Sequence, residues 1–314
     1  MIILIRSTTV LGYFNKKCYR QFLSACVYCL LLCTATSVYG QTNNLVIPSN
    51  PCFKVYKISE DIWRIVDNDV VNIYLVEGRD SALLIDNGLG AANLRDFIKS
   101  ITKLPLIVVI THAHPDHAGA NYQFPRVYAS PDDFEAVKFF TTPEMRAGTL
   151  QAMIRSPVAD SLKFKDTVNQ PATILLPAKN GYVFNLGDRK LEVIQVPGHT
   201  KGSICLLDHK EKFLFTGDND NMLVWLHTRD ALPLETYLES LKKLQSRAIE
   251  FITLLPGHGD PVDKEFIKEQ IGCVEDILAG KCKGTIYETF AGKGLLCRYK
   301  RAQVAYDPNN LHVK

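Results

Sequence analysis

The sequence predicts an α/β fold whose polar residues gather at the ends of apolar strands. Two observations carry this. Short runs of β-branched and aromatic residues alternate with segments of helical spacing. Three apolar strands also run directly into "THAH", "PGHT" and "PGHG", and a fourth into "TGD". Strand ends that converge on polar residues are the usual place for a site in such a fold.

The elements follow in chain order from about residue 54. "VYKISEDIWRIV", "NIYLVEG" and "ALLIDNG" read as strands, with "EGRDS" a turn between the last two. "AANLRDFIKSI" spaces Leu94, Phe97, Ile98 and Ile101 as one helical face. "LPLIVVI" is a continuous apolar run, as expected of a strand covered on both faces, and it delivers the chain into Thr111. "RVYAS" and "PDDFEAVKFF" repeat the strand-then-helix order, and "PEMRAGTLQAMI" predicts a helix inside an insertion over the site, about 139–170. The block from "GYVFNLGD" to "FLFTGD" reads as hairpins turning at "LGD" and "DHKEK". Helices around "LETYLESLKKLQS" and "KEFIKEQIGCVEDIL" flank the strand in "FITLLPGHGD".

Composition sets the outer bounds. Hydrophobic residues at 46% and charged residues at 22% are those of a chain that can bury a sizeable core. The formal charge of +3 has no long basic block behind it, so nucleic acid is not an expected partner. The first 40 residues differ: Arg6, Lys16, Lys17 and Arg20 precede the uncharged stretch "FLSACVYCLLLCTATSV". This order predicts a signal peptide over 1–40, cleaved after Gly40, and a linker over 41–53. Export, periplasmic or secreted, is the expected localisation, without stable membrane contact once the leader is removed. An uncleaved anchor is the alternative, and "LSAC" as a lipoprotein box ranks last because it follows Arg20 too closely. Beyond the leader, Cys52, Cys205, Cys273, Cys282 and Cys297 are odd in number and form no CxxC pair. No disulfide framework is indicated, although one bridge among the C-terminal three remains open.

The chemistry concentrates in "THAHPDHAG". His112 and His114 alternate by one residue, so an extended backbone points them the same way. Pro115 ends the strand and turns Asp116 and His117 toward a different point, so one segment can feed two metal positions. Five of the chain's eight histidines lie here or in the two "PGH" turns, which argues against a solvated turn that merely contains histidine.

This segment resembles the HxHxDH signature of the metallo-β-lactamase superfamily. "ALLIDNG" with Asp86, "VPGHTKGS" with His199, "FTGD" with Asp218 and "LPGHGD" with His258 match that family's other motifs in order, over about residues 54 to 275. The resemblance implies a four-layer αββα sandwich over 54–280, with 281–314 a C-terminal extension packing on the same domain. It implies one zinc on His112, His114 and His199 and a second on Asp116, His117 and His258, with Asp218 bridging both. Iron or manganese in place of zinc stays open. Asp116 and Asp86 are the carboxylates it assigns to the catalytic centre, Asp86 orienting a histidine N–H from behind; the alternative is an aspartate capping the turn "DNGLG". Thr111 and Thr200 are expected to support the ligands, and Lys201 is expected to be a surface charge.

Within that family the ligands resemble the glyoxalase II and lactonase group, which cleaves carbonyl esters. Di-iron members carry Glu where this chain has His114, sulfur dioxygenases use fewer ligands, and true zinc β-lactamases lack the bridging aspartate. The expectation is a two-zinc hydrolase attacking a carboxylic ester, lactone or thioester with a bridging hydroxide. Phosphodiester, sulfate ester or β-lactam hydrolysis on the same centre are the alternatives. A ligand-free scaffold is disfavoured because all seven ligand positions are filled. The partner is a small-molecule substrate, and oligomeric state is not legible. Trp225 and His227 are the candidates to face substrate, against a core tryptophan and a surface histidine. His209 and His312 are expected to be exposed bystanders.

Overall fold

The computed structural model describes residues 50–154 and 173–314. The expected leader (1–40), most of the linker and part of the expected insertion lie outside the described residues.

The first sheet has seven strands in sequence order: β1 (Phe53–Ser59), β2 (Ile62–Asp67), β3 (Val71–Glu77), β4 (Ala82–Ile85), β5 (Leu106–Val109), β6 (Arg126–Ala129) and β7 (Ile174–Pro177). It begins as an antiparallel meander, and from β4 onward every pair is parallel. The parallel part needs crossovers, and these carry helices α1 (Leu94–Ile101), α2 (Pro115–Ala118), α3 (Phe134–Phe140) and α4 (Pro143–Met153). The α1 face read from spacing is the buried one, with Leu94, Phe97 and Ile98 inward and the Asn93 side chain capping the Asp96 N–H.

The second sheet is built from β8 (Val183–Asn185), β9 (Lys190–Gln195), β10 (Ile204–Asp208), β11 (Phe213–Gly217), β13 (Thr253–Pro256) and β14 (Val262–Asp263). Of its pairs only β11 with β13 is parallel, joined through β12 (Leu223–Leu226) and helix α5 (Leu234–Ser246); α6 (Phe266–Leu278) follows. The two sheets face each other, and strand alternation sorts their side chains into separate cores. In β3, Tyr74 and Val76 enter the core between the sheets, whereas Ile73 and Leu75 pack under the helices of the first half. In β10, Ile204 and Leu206 face between the sheets, and Cys205 and Leu207 face α5 and α6. Strands covered on both faces are apolar throughout, the reason these runs read as continuous. The result is the αββα sandwich.

The sequence boundary at 280 is not a structural one. β15 (Thr285–Thr289), β16 (Gly292–Tyr299) and β17 (Ala302–Tyr306) form a third sheet with β12, in the order β12-β17-β16-β15. The C-terminal residues do more than pack on the domain, because β17 pairs in parallel with β12 from its interior. A disulfide joins Cys282 to Cys297 across 15 residues, while Cys52, Cys205 and Cys273 are buried and free.

The sheets are also pinned together by polar groups. Asn72 shares the inward face of β3 with Tyr74 and Val76, and its side-chain amide donates to the Pro256 and Gly259 carbonyls at 2.9 and 2.7 Å. Its backbone N–H reaches the Gly257 carbonyl at 2.7 Å, and the Tyr74 hydroxyl donates to Pro256 at 2.8 Å. Arg64 adds a contact to the Gly259 carbonyl at 3.1 Å and one to Asp260 at 2.8 Å. The first sheet thus holds the "PGHG" turn that ends β13. Asn72→Leu keeps the branching of the side chain but strips the amide donor from two carbonyls, so urea unfolding should show a loss of about 1–3 kcal/mol. An unchanged midpoint would remove Asn72 from this role.

Candidate metal centre

Each of the strands that the sequence aimed at polar residues ends in this region. β5 leads through Ile110 and Thr111 to His112, and His114 begins the short α2, where Pro115 occupies the first turn. β9 leads to His199, β11 to Asp218 and β13 to His258. Gly217 turns the chain at φ +50°, and a Cβ there would collide with the Thr111 hydroxyl. The tight turn from β11 into Asp218 therefore requires glycine.

Five imidazoles meet here, and each is tied outward by one ring nitrogen. His112 Nδ1–H donates to Thr111 Oγ1 at 3.0 Å, and that hydroxyl donates on to Asp86 Oδ2 at 2.9 Å. His117 Nδ1–H donates to the same Asp86 oxygen at 2.9 Å. His199 Nδ1–H and His258 Nδ1–H donate to the backbone carbonyls of Trp225 and Val70, both at 2.7 Å. His114 is reversed: its Nε2–H donates to Asp230 Oδ2 at 2.9 Å, leaving Nδ1 inward. With one nitrogen donating to these acceptors, each ring turns its second nitrogen toward the centre.

Those inward atoms fall into two groups. His114 Nδ1 lies 3.1 Å from His112 Nε2 and 2.9 Å from His199 Nε2. His258 Nε2 lies 3.4 Å from His117 Nε2 and 3.2 Å from Asp116 Oδ2. Asp218 spans them, with Oδ1 3.2 Å from His117 Nε2, and Oδ2 3.6 Å from His199 Nε2 and 3.3 Å from His258 Nε2. Asp218 Oδ1 is buried and has no hydrogen-bond partner among the described residues. Lone pairs facing one another at such distances repel unless a cation lies among them. The edge of a tetrahedron with zinc–nitrogen bonds of about 2.0–2.1 Å is roughly 3.3–3.4 Å, close to these separations. His112, His114 and His199 could hold one metal, and Asp116, His117 and His258 a second.

Electrostatics points the same way. Burial, with the neighbouring imidazoles, holds His112 well below the ordinary histidine value and pushes His199 down to about 4. Both keep a free lone pair at neutral pH. At His258 burial acts downward too, yet the Asp218 and Asp116 carboxylates raise it to about 10. Left without a metal, that side of the centre draws a proton to balance its acids.

The supporting residues extend beyond those read from sequence. Asp86 adopts φ +62°, sparsely populated outside glycine, and accepts the Thr111 N–H at 2.6 Å beside its two contacts above. It faces the histidines, while Asp67 caps the "DNGLG" turn through the Leu89 N–H at 2.8 Å. Asp133 precedes a helix and reads as an ordinary cap, but it is buried and joins two ligand loops. It accepts from the Ala113 N–H at 3.0 Å, the Thr200 hydroxyl at 2.8 Å and the Gly202 N–H at 2.7 Å. A Cβ at residue 202 would strike that carboxylate, hence the glycine. Asp230 has no sequence signal except its place in a loop after β12. Burial pushes its carboxyl upward, yet the His114 N–H brings it down to about 2. Lys201 is 68% exposed near Asp132, and His209 and His312 are exposed beside Glu192 and Glu235.

A cavity of about 730 Å³ opens onto the centre, with His114, Asp116, His199, Asp218 and His258 in its lining. Phe139, Phe140, Met145 and Met153 wall it from α3 and α4, and Leu223 and Trp225 from β12. Trp225 is half-buried, its indole N–H donating to the Tyr287 hydroxyl at 3.1 Å. The expectation that His227 faces substrate is corrected: its ring is buried against Trp225 and Tyr287, its Nε2 3.2 Å from Thr289 Oγ1, and it does not line the cavity.

Because Asp230 accepts the outward N–H of His114, Asp230→Ala should weaken zinc binding by about 10–100-fold in a chelator competition. Affinity equal to that of the unaltered chain would show that His114 is oriented by packing instead.

Comparison with known proteins agrees with this geometry. A family model described as the metallo-beta-lactamase superfamily matches residues 66–258. Acyl-coenzyme A thioesterase MBLAC2 of Homo sapiens is 34% identical over 211 residues, 60% of this chain and 72% of that protein. An atrochrysone carboxyl ACP thioesterase of Emericella nidulans is 26% identical over 218 residues, 66% of this chain and 58% of its own length. Among solved structures, the sec-alkylsulfatase Pisa1 from Pseudomonas sp. is similar in fold, with a TM-score of 0.55 at 18% identity over 72% of this chain and 42% of that one. A metallo-beta-lactamase from Erythrobacter litoralis gives 0.52 at 17% identity over 74% of this chain and 100% of its own. The chain belongs to the metallo-beta-lactamase superfamily and is a hydrolase with that fold.

Proposed function

We propose that this chain is an exported two-zinc hydrolase of acyl thioesters. The observation that carries the reading is the apolar cavity seated directly on the inward-turned ring nitrogens. Of the three expected substrate classes, thioesters rank ahead of oxygen esters and lactones, and the relatives named as an acyl-coenzyme A thioesterase and a carboxyl ACP thioesterase support that order.

Two cations held by the seven ligands would supply an activated water and a Lewis acid for the carbonyl oxygen. The chain's own groups do the rest. His112, His114 and His199, with their outer nitrogens engaged, cannot rotate away from the centre. Phe140, whose ring centroid is 5.5 Å from that of His114, helps exclude water beside the reacting carbonyl, which strengthens every charge interaction there. Asp116 and Asp218 line the cavity floor and balance the positive charge.

The leaving group also favours sulfur. Among the described residues the cavity lining contains no lysine, tyrosine or cysteine. Apart from Glu144, its acids and histidines belong to the metal centre or, as Asp230, are taken by it, which leaves few groups to protonate a departing alkoxide. A thiol, with a pKa of about 8.5, leaves as the thiolate without such help, whereas an alkoxide resembles the base of bulk water, pKa about 15.7.

Zinc-loaded mature protein should therefore prefer a long-chain acyl-coenzyme A to an aryl ester or lactone of comparable chain length. His112→Ala should lower kcat/KM about 1000-fold, roughly 4 kcal/mol of transition-state stabilisation, with circular dichroism unchanged. A preference for lactone, or undiminished turnover in the variant, would overturn the reading. Export rests on the leader sequence, and N-terminal sequencing of the fractionated protein should find a mature chain starting at Gln41. Recovery with Met1 in the cytoplasmic fraction would refute it.

A further inference from the structure

The cavity lining is uneven in charge. Asp116 and Asp218 stand among the histidines, Asp230 is taken by His114, and Glu144 comes from α4. Arg229 is the one lysine or arginine among the described lining residues. Its side chain is exposed, and among the described residues no carboxylate lies within ion-pair distance of it; the adjacent Asp230 is directed to His114 at 2.9 Å.

The cation is also held on a fixed turn. The Ala231 N–H closes onto the Thr228 carbonyl at 3.2 Å, and the next residue, Leu232, donates to the Gly198 carbonyl at 2.8 Å. The Asn310 side chain donates to the Ala231 carbonyl at 3.0 Å. The backbone carrying Arg229 is thereby coupled to the loop that carries His199. Opposite in character, α3 and α4 contribute Phe139, Phe140, Met145 and Met153, and Phe139 is 58% exposed among the described residues. Phe290, at 61% exposure, belongs to the same lining from the β15–β16 turn. A lining with large apolar walls and one guanidinium that has no ion-pair partner among the described residues fits an amphiphile with a single anionic end.

We propose that Arg229 is a specificity-determining residue that binds an anionic group, phosphate or carboxylate, on the thiol half of the substrate while the acyl chain lies along α3 and α4. The proposal rests on the thioester reading. Guanidinium binds both anions through paired N–H groups, and lysine would replace the charge but not the fork.

The test uses the zinc-loaded full chain and one acyl group on four thiols: coenzyme A, 4′-phosphopantetheine, 3-mercaptopropionate and neutral N-acetylcysteamine. In Arg229→Ala, the ratio of kcat/KM for an anionic over the neutral thioester should fall about tenfold, about 1.4 kcal/mol, with the loss in KM. Arg229→Lys should recover part of it. A fall confined to the phosphate-bearing thiols identifies phosphate as the anion, and one seen with 3-mercaptopropionate identifies carboxylate. A ratio unchanged by Arg229→Ala overturns the proposal. Calorimetry with the non-hydrolysable thioether of acyl-coenzyme A reads the same contact without turnover. If no thioester is cleaved, the functional reading fails, while equal thioether binding by both proteins still rejects Arg229.

Discussion

The site depends on one constraint: every inward-facing imidazole has its other nitrogen committed to an oxygen. Thr111, Asp86, Asp230 and the carbonyls of Trp225 and Val70 each accept one N–H. An unfixed histidine would divide itself between two tautomers and several ring orientations, and would lose that freedom on binding a metal. Here much of that loss has already been met in folding. Two of the acceptors are main-chain carbonyls, so the positions of β12 and of the turn before β3 reach the centre through the backbone, whatever side chain those residues carry. Packing of the sandwich and geometry of the ligands are one problem.

The candidate ligand residues that the structure brings together were legible because the chemistry is dense in sequence. "THAHPDHAG" puts four candidate donors within six positions, and the two "PGH" turns supply the remaining imidazoles. The second layer was legible only in part. Asp86 stood out through its motif, whereas Asp133 looked like a helix cap and Asp230 like a loop acid. Their roles arise from contacts across 20 and 116 residues of chain, which no local pattern encodes. His227 was misread for a related reason. It lies one residue beyond the end of β12, where side-chain alternation stops being a guide, and β15 with its following turn encloses it.

The fold shows the same division. Continuous apolar strands and the face of α1 were readable, since both express burial directly. The third sheet was not, because β12 and β17 are distant in sequence and neither is a sheet without the other. Residues 281–314 consequently read only as an extension packing on the same domain. Their burial shows how closely they pack: Cys297, Val304 and Tyr306 belong to the same core as Val224 and Leu241.

The Cys282–Cys297 link gives that sheet a chemical dependence of its own. It closes the hairpin whose tip presents Phe290 to the cavity mouth. With the thiols reduced, the unfolded chain regains the freedom of a loop of about 15 residues, worth about 3 kcal/mol. That freedom would be spent first at an edge strand, β15, which has only one neighbour. One wall of the pocket is therefore anchored by a bond that persists where the surroundings oxidise thiols, as the proposed export would provide.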